Sequence, residues 1–436
     1  MTELGPLPEE WTVVQIGDVF HIQQGKSVSP KHRTGRSPRP FLRTANVLWG
    51  RIDLTTIDYM DFDEEELDRL SLRPGDLLVC EGGEIGRTAM WQGELDLCFY
   101  QNHLHRLRSC HDGVEPTFYM YWIQAAWTLL GLYRGQGNST TIPNLSRSRL
   151  ASLPVPMPPL EEQQAIARVL QAIQHAKDAT EQVIAAMRDL KKGLMQHLFT
   201  YGPVPVEEAA RVPLRETEIG LIPEQWSVVR LGDIAQKPQY GLTASSVSSP
   251  IGPKLLRITD IQDGKVKWDE VPYCKISEDV CSKYRLEPGD LLVARIGATT
   301  GKTFLVSECP ESVFGSYLIR VRVYQDRLLP PFLYYFTQTQ YYWSQINAVK
   351  DGRLKKGINI PILSSLQVPL PSLREQEEIV RLLSALDWKI QAEEIRVQAL
   401  DGLFKTVLHL LMTGRVRVKD LPRSEIEGVS PGASRE

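Results

Sequence analysis

Several stretches of this chain combine residue types and spacings that could do chemistry. Gly297-Ala-Thr-Thr-Gly301-Lys302-Thr303 looks like a phosphate cradle. Such a loop needs four residues between its glycines so that successive N–H groups wrap the phosphates. Here there are three, and the equivalent stretch Gly82-Gly-Glu-Ile-Gly86-Arg87-Thr88 has Arg in place of Lys. A turn between two strands accounts for both, and nucleotide hydrolysis is not expected. Methyl transfer to adenine would need an Asn/Asp-Pro-Pro-aromatic stretch to hold a flipped base. The Pro-Pro pairs are Pro158-Pro159, followed by Leu160, and Pro330-Pro331, preceded by Leu329. Neither fits, and no Pro-Asp…Asp/Glu-x-Lys nuclease cluster stands out. His103 and His105 alternate on one strand face without neighbouring cysteines, which suits a satisfied or solvent-facing pair better than a metal site.

The remaining chemistry is recognition. Between Asp18 and Asp53 there is no acidic side chain, yet Lys26, Lys31, Arg33, Arg36, Arg39, Arg43 and Arg51 fall there among Ser, Thr, Gly and Pro. A loop of this kind can follow a phosphate backbone and aim Arg forks at guanine edges. A second place carries Gln236, Lys237, Gln239, Tyr240 and Thr243, whose amides and hydroxyls suit adenine edges. Arg134, Gln136 and Asn138 form a further candidate loop, as do Lys350, Arg353, Lys355 and Lys356. Arg257, Arg295 and Lys302 complete the candidate DNA contacts. No catalytic or metal-binding residue is assigned.

These groups are positioned by a duplicated scaffold. LGPLPEEWTVVQIGD at 4–18 recurs as IGLIPEQWSVVRLGD at 219–233, and FLRTANV at 41–47 as LLRITDI at 255–261. RPGDLLVCEGG at 73–83 matches EPGDLLVARIG at 287–297, LHRLR at 104–108 matches LIRVR at 318–322, and LPVPMPPLEEQ at 153–163 matches LQVPLPSLREQ at 366–376. The offset drifts only from 215 (Trp11 to Trp226) to 213 (Gln163 to Gln376), so the chain is two head-to-tail copies of one unit.

Each copy opens strand-rich, with WTVVQI, DLLVC and HLHRLR bounded by turn signals such as Pro74-Gly75-Asp76. A Pro-rich stop then leads into a long segment without proline, from Leu160 to about Phe199. There Ile166, Val169, Ile173, Ala176, Thr180, Val183, Met187, Leu190 and Leu194 alternate spacings of three and four, a coiled-coil seam. The second copy repeats it with Ile379, Leu383, Leu386, Ile390, Glu393, Val397, Leu400, Phe404, Val407 and Leu411. About 39 residues make about 60 Å of helix, longer than a small domain is wide. The alternative, a lone amphipathic helix lying on its own domain, fits that length poorly, and antiparallel pairing of the two helices is expected.

The expected architecture is therefore α+β, with two β-rich domains joined by two long antiparallel coiled-coil helices. Its parts are 1–152, a helix in 153–202, a linker and second domain in 203–365, a helix in 366–415, and a polar tail from 416 to 436. The net charge of −3 gives no global sign of nucleic acid, so any basic surface is local. The six cysteines lack a CxxC pair and read as buried or indifferent thiols. The N-terminus lacks a secretory pattern and no apolar run is long enough to span a bilayer, so a cytoplasmic protein with no membrane partner is expected.

ETEIGLIPEQWSVVRLGD (216–233), the PGDLL turns, the LPxPxPxLxEQ lead into each helix and LLMTGRVRV (410–418) resemble type I restriction–modification specificity subunits over nearly the whole chain. LMQHLFTYG (194–202) matches the corresponding helix exit more loosely. The resemblance implies two target-recognition domains, each followed by a long helix, and an asymmetric bipartite target in double-stranded DNA. It implies two DNA-adenine methyltransferase subunits flanking the helices and motor–nuclease subunits for cleavage. S-adenosylmethionine, ATP and magnesium then belong to those partners, and this chain is a non-catalytic subunit without cofactor. The competing reading is a two-module coiled-coil scaffold for protein partners, against which the basic loop at 26–43 speaks.

Overall fold

The computed structural model describes residues 4–133, 144–262, 264–351 and 357–420. The chain forms two compact units, one of residues 1–182 with 395–436 and the other of residues 183–394. Both carry the same four-stranded antiparallel sheet. In the first unit its order is Phe20–Gln24, Leu104–Ser109, Leu77–Cys80, Thr88–Met90; in the second it is Gln239–Tyr240, Leu318–Val321, Leu291–Ala294, Thr303–Leu305. A separate antiparallel pair joins the start of each head to its end: Thr12 faces Met157 and Ser227 faces Leu370. Two-stranded pairs have only edges, which is why Pro154, Pro156 and Pro369 are tolerated in them.

The turn Pro74-Gly75-Asp76 and its repeat Pro288-Gly289-Asp290 fix the sheet from within. Asp76 is 2% exposed and accepts both Nε (2.7 Å) and Nη2 (2.6 Å) of Arg108. Asp290 receives the fork of Arg322 in the same way. The neighbouring Arg106 and Arg320 are buried and donate to backbone carbonyls, Arg69 and Ser71 for one, Lys283 and Arg285 for the other. The basic pattern of LHRLR and LIRVR is thus internal wiring, in which buried guanidinium groups find carboxylate and carbonyl acceptors.

The two long helices run Leu160–Tyr201 and Leu373–Met412. Within the first unit, Glu162 meets Arg417 and Lys177 meets Asp401 at 2.9 Å, so the second helix recedes as the first advances. Within the second unit, Arg188 meets Glu394 at 2.8 Å and Lys191 meets Asp387 at 2.7 Å, again antiparallel. Each head's core takes in the start of one helix and the end of the other. Ile166 and Leu170 pack with Phe404, Leu408, Leu411 and Met412; Ile379 and Leu383 pack with Met195, Leu198 and Phe199.

On the second helix Ile379, Leu383 and Ile390 are buried, and Leu386, Val397 and Leu400 are half-buried. On the first helix Ile166 is buried and Ile173 and Met187 are half-buried, but Val183 and Leu190 are 43% and 61% exposed. Ile184, at 7%, takes the inward position instead. The correction has a simple cause. A strict alternation of three and four implies 3.5 residues per turn, whereas an α-helix with 3.6 drifts off that stripe. After Thr180 the buried side runs Ile184, Met187, Lys191, Met195, Leu198.

Where each head meets its helix, a buried glutamine is fully used. Gln163 accepts from the Glu115 N–H (2.9 Å) and donates to the carbonyls of Pro158 (2.8 Å) and Gly113 (3.2 Å). Gln376 does the same with Leu329, Pro371 and Arg327. Gln163→Leu or Gln376→Leu strands one buried donor and two acceptors, and should cost about 3 kcal/mol. Urea denaturation should show a lower midpoint at an unchanged slope.

Candidate nucleic-acid interface

The basic run of the first unit is anchored by acidic residues that follow it in sequence. Asp61 accepts from Thr34 Oγ1 (2.7 Å) and from the N–H groups of Thr34 (2.7 Å) and Ser37 (2.8 Å). The Thr34 hydroxyl and the Ser37 N–H hold its carboxyl down at about 2. Lys26 is turned inward: it pairs with Glu66, donates to the Asp61 carbonyl and keeps 10% of its side chain exposed. Arg33 and Arg43 share Asp58, at 3.5 and 3.1 Å. Lys26 is therefore removed from the set of candidate DNA contacts, and Arg33 and Arg43 are partly neutralised. Asp58, Asp61 and Glu66 lie just past the acid-free window, and the strand Asp58–Asp61 and the helix Glu64–Leu70 bring them back onto it. Lys31, Arg36 and Arg39 are exposed and carry no ion pair among the described residues.

In the second unit Gln239 is likewise spoken for. Its Oε1 accepts from Arg320 and its Nε2 donates to the Lys283 carbonyl at 3.4 Å, so it is corrected from base contact to sheet support. Tyr240 and Arg295 are brought together, the guanidinium lying 4.6 Å from the ring centroid. Thr243 and Lys302 are exposed. Arg257 is held bidentately by Asp260, at 2.7 and 3.0 Å, on the wall of a cleft of ≈ 1060 Å³ that also has Lys265 and Glu394 on it. Arg134, Asn138, Arg353, Lys355 and Lys356 lie outside the described residues.

Gly297 to Thr303 form the turn between two antiparallel strands, Leu291–Ala294 and Thr303–Leu305. Gly301 has φ +91°, and a Cβ there would come within 2.8 Å of Ile346; Gly86, at φ +81°, backs onto Trp127 in the same way. Strand follows the turn where a phosphate cradle has a helix. His103 is exposed, while His105 is buried and bonds the Leu145 carbonyl at 2.8 Å. Glu278, Cys281 and Glu311 converge as metal ligands could, but Arg285 donates to Glu278 (2.8 Å) and Glu311 (2.9 Å) and supplies their positive charge.

Sequence comparison agrees with this duplicated geometry. A family model described as the type I restriction modification DNA specificity domain matches twice, at residues 8–187 and 223–400. The chain belongs to the type I restriction–modification DNA specificity family. A putative type I restriction enzyme MjaX specificity subunit of Methanocaldococcus jannaschii is 25% identical over 434 residues, covering 96% of each chain. The EcoKI specificity subunit of Escherichia coli is 24% identical, covering 88% of this chain and 83% of its own. A solved specificity subunit from M. genitalium shares the fold, with a TM-score of 0.59 at 16% identity over 94% of this chain and 99% of that one. No helix among the described residues is long and apolar enough to cross a membrane.

One titration can be read from the specificity domains themselves. Burial holds the His105 imidazole below its ordinary value, outweighing its bond to the Leu145 carbonyl. The unfolded chain therefore binds the proton more readily than the folded one, so stability is present above the unfolded value and is lost as pH falls through it. Replacing His105 by isoleucine, the residue at the equivalent position 319, should flatten the dependence between pH 7 and 5. Thermal melts of both proteins across that range would show it.

Proposed function

We propose that each unit reads one half of a bipartite DNA target, and that the chain carries this recognition for a restriction–modification complex without a catalytic centre of its own. The observation that carries the reading is a shared scaffold with unlike polar surfaces. The Asp–Arg forks, the Gln163 and Gln376 junctions and the sheet order repeat, whereas Lys31, Arg36 and Arg39 on the first head face no basic equivalent on the second. Two identical heads would read a palindrome; unlike heads read unlike half-sites. Methyl transfer to adenine, with S-adenosylmethionine, and cleavage driven by ATP with magnesium belong in this proposal to partner subunits in the cytoplasm.

The partners need a surface, and the second unit offers one. Trp388 is 73% exposed, with Leu190 at 61% and Val183 at 43%. Bare apolar side chains of this size on long helices support coverage by a partner. Trp388→Ala should weaken co-purification with the neighbouring methyltransferase subunit at least tenfold while leaving the melting temperature of the free chain unchanged.

A map of methylated adenines in cells with and without this chain tests recognition directly. Two short unlike motifs around a fixed gap are expected; identical maps would favour the protein-scaffold reading. The salt dependence of duplex binding adds a residue-level check. Removing one charged side chain that touches a phosphate lowers the log–log slope by about 0.9. Arg36→Ala and Arg39→Ala should each do so, whereas Lys26→Ala should lower stability and leave the slope alone.

A further inference from the structure

In each head three chain segments end together at one edge of the four-stranded sheet. In the first unit these are Gln24 at the end of its strand, Glu81 after Cys80, and the turn Gln101–His103 before Leu104. The second unit has Tyr240, Arg295 and Gly315–Tyr317 in the same places. The correspondence is fixed by register: Gln24 faces His105 and Tyr240 faces Ile319, while Glu81 N–H bonds the His103 carbonyl as Arg295 N–H bonds that of Tyr317. Both notches are closed by a glycine on the backbone. A Cβ at Gly25 would sit 2.3 Å from the Tyr100 carbonyl oxygen, and one at Gly241 2.1 Å from that of Gly315.

On this common frame the side chains are opposite in character. In the first notch Gln24 Nε2 donates to Glu81 Oε2 at 2.9 Å, and His103 Nδ1 stands 4.0 Å from the same oxygen. Glu81 Oε1 has no hydrogen-bond partner among the described residues, and the side chain is 12% exposed. In the second notch Arg295 lies over Tyr240, and its Nη1 donates to the Ser316 carbonyl at 3.3 Å. Its Nε is buried with no partner among the described residues, and Tyr317 beside it is 55% exposed. An Arg fork set against an aromatic ring suits the paired acceptors of guanine, and a carboxylate suits the exocyclic amino group of cytosine. In the first unit the chain runs on from this notch into the loop that carries the exposed Lys31, Arg36 and Arg39, so groups suited to phosphate follow the notch directly in sequence.

We infer that the position shared by Glu81 and Arg295 is the specificity-determining point of each head, Arg295 reading a guanine in one half-site and Glu81 a cytosine amino group in the other. This rests on the DNA-recognition reading above and goes further by assigning residue and base.

The test is selection from randomised duplexes by the chain assembled with its methyltransferase, at fixed salt. Arg295→Ala should reduce preference for one guanine in one half-site by about ten- to a hundredfold and leave the other half-site intact. Glu81→Gln should relax one position of the other half-site alone. Arg295→Lys keeps the charge but not the fork, and should lose most of the same preference; it carries the test if the Ala variant loses its fold. Uniformly weaker binding to all sequences, or unchanged motifs in both variants, would overturn the inference while recognition itself stands. Absence of a split motif for the unmodified chain would instead remove the reading on which it rests.

Discussion

Each head is fixed to its long helix by a tryptophan and a glutamate, and the rest of the structure depends on that junction. Trp11 Nε1 donates to Glu162, and Trp226 Nε1 to Glu375, both at 3.0 Å. The adjoining Gln163 and Gln376 close the corner from the other side. Burial works against the charge on Glu375, but the Trp226 indole and Ser372 hold it below the ordinary carboxylate range. An indole has one donor and a large apolar body, so it can fill the head's core and still satisfy a carboxylate at the core's rim. A helix of about forty residues has no core of its own. Only such a corner makes the direction of the helix follow from the fold of the head.

The two corners are not equivalent. In the first, Arg417 reaches both Glu162 and Glu10, and its guanidinium also lies 5.9 Å from the Trp11 ring. The two carboxylates, Glu162 foremost, hold it well above the ordinary arginine range. Aligning the helix exits HLLMTGRVRV and HLFTYGPVPV puts Pro205 where Arg417 stands. Glu375 is left with Ser372 and Gln225 as its further donors. Without a cation, this half-buried carboxylate is held by three neutral donors, Trp226, Ser372 and Gln225.

Much of this was legible because it is repeated. The two units, the strands around PGDLL and LHRLR, and both long helices follow from periodicity and an offset that barely drifts. The first seam failed at Val183 and Leu190 because a heptad count cannot register helical drift within one apolar-rich face. Within its own window the basic loop shows Lys26 as available, because Asp58, Asp61 and Glu66 stand on a strand and a helix that only folding returns to it. Gln239 looked like a base reader because nothing local reveals that Arg320 is buried behind it. The last two misses share one cause, since a partner distant in sequence is invisible to local charge.

Local charge gives Glu81 no weight, for the opposite reason. Among basic and amide groups a carboxylate reads as hostile to DNA, and its partner position carries arginine. Only the register of the two sheets makes the pair comparable, by showing that one backbone site holds charges of opposite sign. A duplicated scaffold allows that divergence because its stability lies elsewhere, in the Asp76–Arg108 and Asp290–Arg322 forks and in the helix corners. The ends of the strands can then differ while the frame that holds them repeats.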